Sequence, residues 1–170
     1  SSVSLNLAHG WEYPLMAKTA RGGYDGKGTR IIRDSKDLNK LFTLENIDLW
    51  FLEKWVRFEK ELSLVASRDS QGIVRFFPIA ETSQLKQVCD WVIAPAAIAH
   101  PVEAMAQNIT ASLLSELNYV GVIAIEFFYG SDGLLVNEIA PRTHNSGHFS
   151  IEACNSSQFD QQLCITAGLP

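Results

Sequence analysis

The chain has 170 residues, 46% hydrophobic and 19% charged, and its 14 Lys and Arg against 19 Asp and Glu leave a net charge of −5. These figures describe an ordinary soluble globule with one sizeable core or two small lobes, and they exclude a basic nucleic-acid surface. Cys89, Cys154 and Cys164 are odd in number and form no C-x-x-C, so neither a disulfide framework nor a zinc ribbon is expected, and a reducing, cytoplasmic setting fits best. No charged-then-apolar leader opens the chain. The longest apolar run, residues 119–129, is too short for a bilayer and contains Glu126, so no membrane partner is expected.

Residues 1–8 read as the tail of a helix ended by His9-Gly10, as in a piece of a longer protein. Residues 14–19 and 29–33 read as two strands joined by a glycine-rich loop. Asp34 or Ser35 can cap a short helix with Leu38, Leu41 and Phe42 on one face. Residues 49–52 read as a buried strand and 61–67 as a half-buried alternating one. A turn at 69–72 sends 73–78 back as a hairpin. Residues 81–87 read as irregular, and 91–94 as a strand closed by Pro95. Residues 101–117 have the strongest helical pattern, with Pro101 in the first turn and Val102, Met105, Ile109, Leu113 and Leu117 on one face. Residues 119–129 and 134–139 form a hairpin, 141–147 a polar loop, and 151–167 one helix with Cys154, Phe159 or Gln158, and Leu163 facing in. Antiparallel hairpins mixed with few helices indicate an α+β fold.

Two stretches carry chemistry. The first is the loop at residues 21–28, with Gly22, Gly23, Gly26 and Gly28 around Tyr24, Asp25 and Lys27. Four glycines in seven residues mean unusual dihedrals or a bare backbone. A loop between two strands is a flap rather than a helix start. That rules out the Walker and dinucleotide patterns, and the glycine-rich hairpin over kinase phosphates is the nearest physical analogue. Lys18 and Lys27 add positive charge.

The second is the last hairpin. A three-residue turn at Ser131, Asp132 and Gly133 sets Gly130 against Leu134, and hence Glu126 opposite Glu138. Facing carboxylates destabilise a hairpin unless a positive charge lies between them, and such oxygens suit magnesium shared with phosphates. A pair sharing one proton is the alternative. Asn137 adds an oxygen nearby. Residues 141–148 follow at once and include Arg142, His144, Asn145, Ser146 and His148. Arg142 suits an anion. His144 and His148 stand at i, i+4 without the glutamate of a zinc helix, so an anion-contacting loop is the better reading. Residues 53–56 end a strand and are candidates to hold a flat base, with Glu61 in reach of a ribose; an ordinary surface strand end is the plainer alternative.

In this order, the glycine loop after Lys18, residues 53–56, Glu126, and the run Asn-Glu-Ile-Ala-Pro-Arg-Thr-His-Asn-Ser-Gly-His at 137–148 resemble the ATP-grasp ligases, and most closely the 5-(carboxyamino)imidazole ribonucleotide synthase family. The resemblance covers essentially the whole chain, which corresponds to one ATP-grasp domain over residues 1–170 without the family's N-terminal and C-terminal domains. It implies two α+β lobes with antiparallel sheets enclosing an ATP cleft. It also implies ATP-dependent carboxylation of 5-aminoimidazole ribonucleotide by bicarbonate through carboxyphosphate, in purine synthesis. ATP and Mg2+ are the implied cofactors, bicarbonate and the ribonucleotide the implied partners, and a homodimer is implied for the full-length protein.

The resemblance also assigns roles. Lys18, Gly22, Gly23, Tyr24, Gly26 and Gly28 fall to the ATP phosphates, and Asp25 and Lys27 to the reacting groups. Glu53, Lys54, Trp55 and Val56 fall to adenine and Glu61 to ribose. Glu126 and Glu138 fall to magnesium with Asn137 beside them. Arg142, His144, Asn145 and Ser146 fall to bicarbonate or the ribonucleotide. Lys27 stands where the family often has arginine, and residues 81–85 lack a histidine that members often have. A nucleotide-binding module without turnover and a biotin-carboxylase-like enzyme are the competing readings. The run at 144–148 argues against the latter.

Overall fold

The computed structural model describes residues 7, 9–23, 27–44, 49–85 and 88–169, in two compact units. The expected helix tail at residues 1–8 (save Leu7) and the loop residues Tyr24, Asp25 and Gly26 lie outside the described residues.

The first unit holds residues 1–56 and 86–88. Strands β1 (Leu15–Thr19), β2 (Thr29–Ile32) and β3 (Trp50–Lys54) form an antiparallel sheet in the order β2-β1-β3. Helix α1 (Ser35–Leu44) follows β2. The Asp34 carboxylate caps it, accepting from the Lys36 and Asp37 backbone N–H groups. Alternation along β1 sends Leu15 and Ala17 to one face, where they are buried with Ile32, Leu38 and Leu41. Met16 and Lys18 take the other face. The expectation of a buried strand at residues 49–52 is half right. The strand forms, but Leu49 and Phe51 are 48% and 44% exposed because β3 ends the sheet and covers only one face.

The second unit holds residues 57–85 and 89–170. Its sheet runs β7-β6-β4-β8-β9, with β5 also on β4. The strands are β4 (Lys60–Arg68), β5 (Val74–Phe76), β6 (Ala80–Leu85), β7 (Val88–Ile93), β8 (Gly121–Gly130) and β9 (Gly133–Ala140). Helix α2 (His100–Glu116) packs with Leu62, Leu64, Ile123, Ile125 and Phe127. The opposite face buries Val65, Val122, Ala124 and Ala140, near the chain around helices α3 (Ser150–Ala153) and α4 (Gln158–Ala167).

Four expectations need correction here. β4 is central and buried on both faces rather than half-buried, since Leu62, Leu64 and Ala66 pack with α2 on one face while Val65 packs with the chain around α3 on the other. Of residues 81–87, read as irregular, 81–85 belong to strand β6 and 86–87 lie outside the described residues: Ala80, Glu81 and Thr82 pair with Ser63, Leu62 and Glu61, so sheet pairing overrides a polar sequence. Helix α2 buries Ala106, Thr110 and Leu114 most deeply; Val102, Ile109 and Leu113 of the expected face pack against the same core, but Met105 and Leu117 are 51% and 61% exposed. The small Ala106 allows close approach, and the Thr110 hydroxyl donates to the Ala106 carbonyl, which lets a polar residue sit inside. The last helix is two helices. Ser157 caps α4 in a reciprocal box with Asp160, and the buried inward residue is Gln158, while Leu163 is exposed. Among the described residues no helix is long and apolar enough to cross a membrane.

Candidate functional site

In the first unit, Thr19 N donates to Gly28 O and closes the β1–β2 hairpin around the glycine loop. Gly28 has φ +85°, and a Cβ there would lie 2.3 Å from Thr19 Oγ1, so any side chain at this position is both strained and crowded. Lys18 pairs with Phe51 across β1–β3, which puts Glu53 on its diagonal, and Lys18 Nζ meets Glu53 Oε2 at 2.8 Å. Lys54 Nζ lies 6.0 Å from the Trp11 ring centroid. Trp55 and Val56 continue β3 as open chain, and Lys27, Gly22 and Gly23 are exposed.

In the second unit, one face of the sheet gathers Glu61, Ser63, Glu126 and Glu138. Glu61 pairs with Phe128, Ser63 with Glu126, and Glu126 with Glu138. The facing glutamates arise differently from the sequence reading. The turn has two residues, with Gly130 opposite Gly133, and that register alone would bring Asn137 to Glu126. A bulge at Asn137 inserts one residue and moves Glu138 into place. Burial first, then the charges of Glu138 and Glu61, push the Glu126 carboxyl up to about 7, against the opposing pull of Arg142. Burial also raises Glu61.

Among the described residues there is no cluster of three or more His, Cys, Asp and Glu placed to enclose a metal. Two facing carboxylates can supply oxygens to a hard cation that keeps water and phosphate oxygens as its other ligands; without one, burial and the neighbouring charge of Glu138 favour the protonated form of Glu126.

The loop after β9 lies beside this pair. Exposed Arg142 donates from Nη1 to Thr143 O at 2.9 Å, and Asn145 is exposed. His144 Nε2 stands 3.8 Å from Glu126 Oε1. Ser146 faces inward: it is 1% exposed, and its hydroxyl bonds Ser63 and His144. It supports His144 rather than reaching a ligand. His148 is exposed, its ring 5.9 Å from that of Phe159, and it does not join His144.

Sequence reasoning missed the residues that hold this loop. Gln158 is fully buried; its side-chain oxygen accepts from His144 N at 2.9 Å and its amide donates to His144 O at 2.8 Å. Ser150 Oγ donates to Gly147 O and accepts from Gln158 N. Tyr119 OH donates to Pro141 O at 2.9 Å. The one sequence signal was a glutamine at an inward position of the final helix.

Comparison with known proteins gives a consistent result. The model of the ATP-grasp domain matches residues 4–159. The N5-carboxyaminoimidazole ribonucleotide synthase of Synechococcus elongatus is 44% identical over 158 residues, 93% of this chain and 40% of that protein. Its Bacillus subtilis counterpart is 40% identical, over 92% of this chain and 42% of that protein. The chain therefore spans about two-fifths of the length of these relatives. The Staphylococcus aureus N5-carboxyaminoimidazole synthetase complexed with ADP superposes with a TM-score of 0.83 at 40% identity, over 94% of this chain and 43% of that one. The Aspergillus clavatus synthase in complex with ADP and 5-aminoimidazole ribonucleotide gives 0.81 at 32% identity, over 93% of this chain and 41% of that one. With the glycine hairpin, the facing glutamates and the two antiparallel sheets in place, the chain belongs to the ATP-grasp family.

Proposed function

We propose that this chain is the ATP-handling segment of a ligase that carboxylates 5-aminoimidazole ribonucleotide in purine synthesis. In this reading ATP phosphorylates a bicarbonate oxygen and ADP leaves. The ribonucleotide amine then attacks the carbonyl carbon of the carboxyphosphate, and phosphate departs as the C–O bond breaks.

The residues divide the work. Lys18 and the backbone at Gly22, Gly23, Tyr24, Gly26 and Gly28 take the phosphates. Glu53, Lys54, Trp55 and Val56 hold the base, and Glu61 the ribose. Asp25 and Lys27 face the reacting groups. Glu126 and Glu138, with Asn137 beside them, hold magnesium, which when bound neutralises phosphate charge. Arg142, His144 and Asn145 hold bicarbonate or the ribonucleotide, with Ser146 behind them. A single ATP-grasp domain over residues 1–170, a cytoplasmic setting and a homodimer of the full-length protein belong to the same reading.

The observation that carries it is the Glu126–Glu138 pair with Arg142 and His144 on the next loop, in a chain 44% identical to a named synthase. The test is ADP release with magnesium, bicarbonate and 5-aminoimidazole ribonucleotide omitted in turn. The same assay is run on the Bacillus subtilis relative carrying this chain in place of its matching segment. ADP release that needs bicarbonate supports the proposal. Release indifferent to bicarbonate in both proteins overturns it. Because the chain spans 40% of that relative from Synechococcus, a second reading is a nucleotide-binding module without its own turnover. Mg-ATP binding by the chain alone without ADP release would favour it.

A further inference from the structure

A line of hydrogen bonds runs beneath the candidate site. Ser63 Oγ lies 2.6 Å from Ser146 Oγ, which lies 2.9 Å from His144 Nδ1. Both serines are 1% exposed. The Ser146 backbone N–H also donates to His144 Nδ1, at 3.4 Å. A backbone N–H has no lone pair to offer, so Nδ1 is an acceptor and carries no proton. In the neutral ring the proton then sits on Nε2. The hydroxyls follow the same direction: Ser146 donates to Nδ1 and accepts from Ser63. The ring cannot escape by moving its backbone, because Gln158 holds both His144 N and His144 O. Nε2 is the nitrogen on the Glu126 side, 3.8 Å from Oε1.

We infer that Ser63 and Ser146 are positioning residues that lock His144 as an Nε2–H donor, so that His144 binds an anionic oxygen and does not serve as a general base. The identity of that anion, bicarbonate, rests on the proposed function; the tautomer does not. With Nδ1 occupied by two donors and Nε2 protonated, the neutral ring has no nitrogen left to take a proton from a substrate. A donor at this place complements Arg142: the guanidinium supplies charge and the imidazole a directed N–H.

The first test needs no ligand. Nitrogen-15 spectra of the histidine-labelled chain, recorded above the imidazole titration range, distinguish the two tautomers. The signals of His144 among the four histidines are those lost in His144→Gln. The expected result is an Nε2–H ring in the wild type, a mixture with Nδ1–H in Ser146→Ala, and a smaller change in the same direction in Ser63→Ala. An Nδ1–H ring in the wild type, or a Ser146→Ala spectrum identical to wild type, overturns the inference. The wild-type spectrum decides even if a variant fails to fold.

The second test uses bicarbonate-dependent ADP release. His144→Gln keeps a side-chain N–H near the Nε2 position, and His144→Asn puts it near Nδ1. A donor role predicts that His144→Gln stays within about tenfold of wild type while His144→Asn falls further. A general base would cost both variants about 10²–10⁴-fold, and that result would overturn the donor role. If wild-type ADP release never depends on bicarbonate, the proposed function fails, and the spectra still decide the tautomer.

Discussion

Glu126 sits in the middle of β8 with its side chain 19% exposed, opposite Glu138 and Ser63. Its carboxyl is pushed from 4.5 to about 7, by burial first and by Glu138 second. A rise of about 2.5 units at about 1.36 kcal/mol each makes the protonated form worth roughly 3 kcal/mol to folding. Because the folded value is raised, this contribution is fully present below about pH 4.5 and is lost as pH rises through about 7. The test is urea unfolding of wild type and Glu126→Gln across that window. Glutamine keeps the shape and does not titrate. Asp34, Asp69 and Asp160, whose carboxyls are lowered by backbone hydrogen bonds, are common to both proteins and cancel in the difference. Wild-type stability minus that of Glu126→Gln should fall by roughly 3 kcal/mol between the two ends of the window. In Glu138→Gln the midpoint of that fall should move down yet remain above 4.5, since burial persists. A flat difference would refute the claim that Glu126 is buried beside a second charge.

Three further outcomes follow from the packing around the site. Gln158→Leu strips partners from the buried N–H and C=O of His144, and a thermal melt should show a loss of about 2–4 kcal/mol. Arg142→Ala should leave unfolding within about 0.5 kcal/mol of wild type, because the side chain is exposed, while ADP release in the chimeric enzyme should fall strongly. Gly28→Ala forces a side chain into φ +85° and onto Thr19 Oγ1, and should cost about 1–3 kcal/mol by urea unfolding.

The sequence showed the site more clearly than the packing. The strand pair β1 and β2 flanking the loop after Lys18, the facing of Glu126 and Glu138 and the polar loop from Arg142 were legible because strand periodicity is local; the roles given to Lys18, Glu53 and His144 came with the family resemblance. The hairpin shows the limit. Its pairing of glutamates was anticipated through a three-residue turn, yet it arises from a two-residue turn and a bulge at Asn137, and the two errors cancel. Strand β6 was missed because its polar residues form a strand only by pairing with β4, a long-range event. The face of α2 was read only in part: Val102, Ile109 and Leu113 do pack on the core, but Ala106 and Thr110 are too small or polar to stand out beside Met105. Ser63 was invisible as a support of His144 because its partner Ser146 lies 83 residues along the chain, and the inward Gln158 gave no sign that it would bond the His144 backbone.

On the proposed function, Glu126 and Glu138 together hold the cation through which this chain binds a nucleotide. Calorimetric titration with ATP, with and without magnesium, tests it on wild type and Glu138→Gln. The expected result is magnesium-dependent binding by the wild type and its loss in Glu138→Gln, with the fold intact by circular dichroism. Unchanged affinity and unchanged magnesium dependence in Glu138→Gln would contradict it.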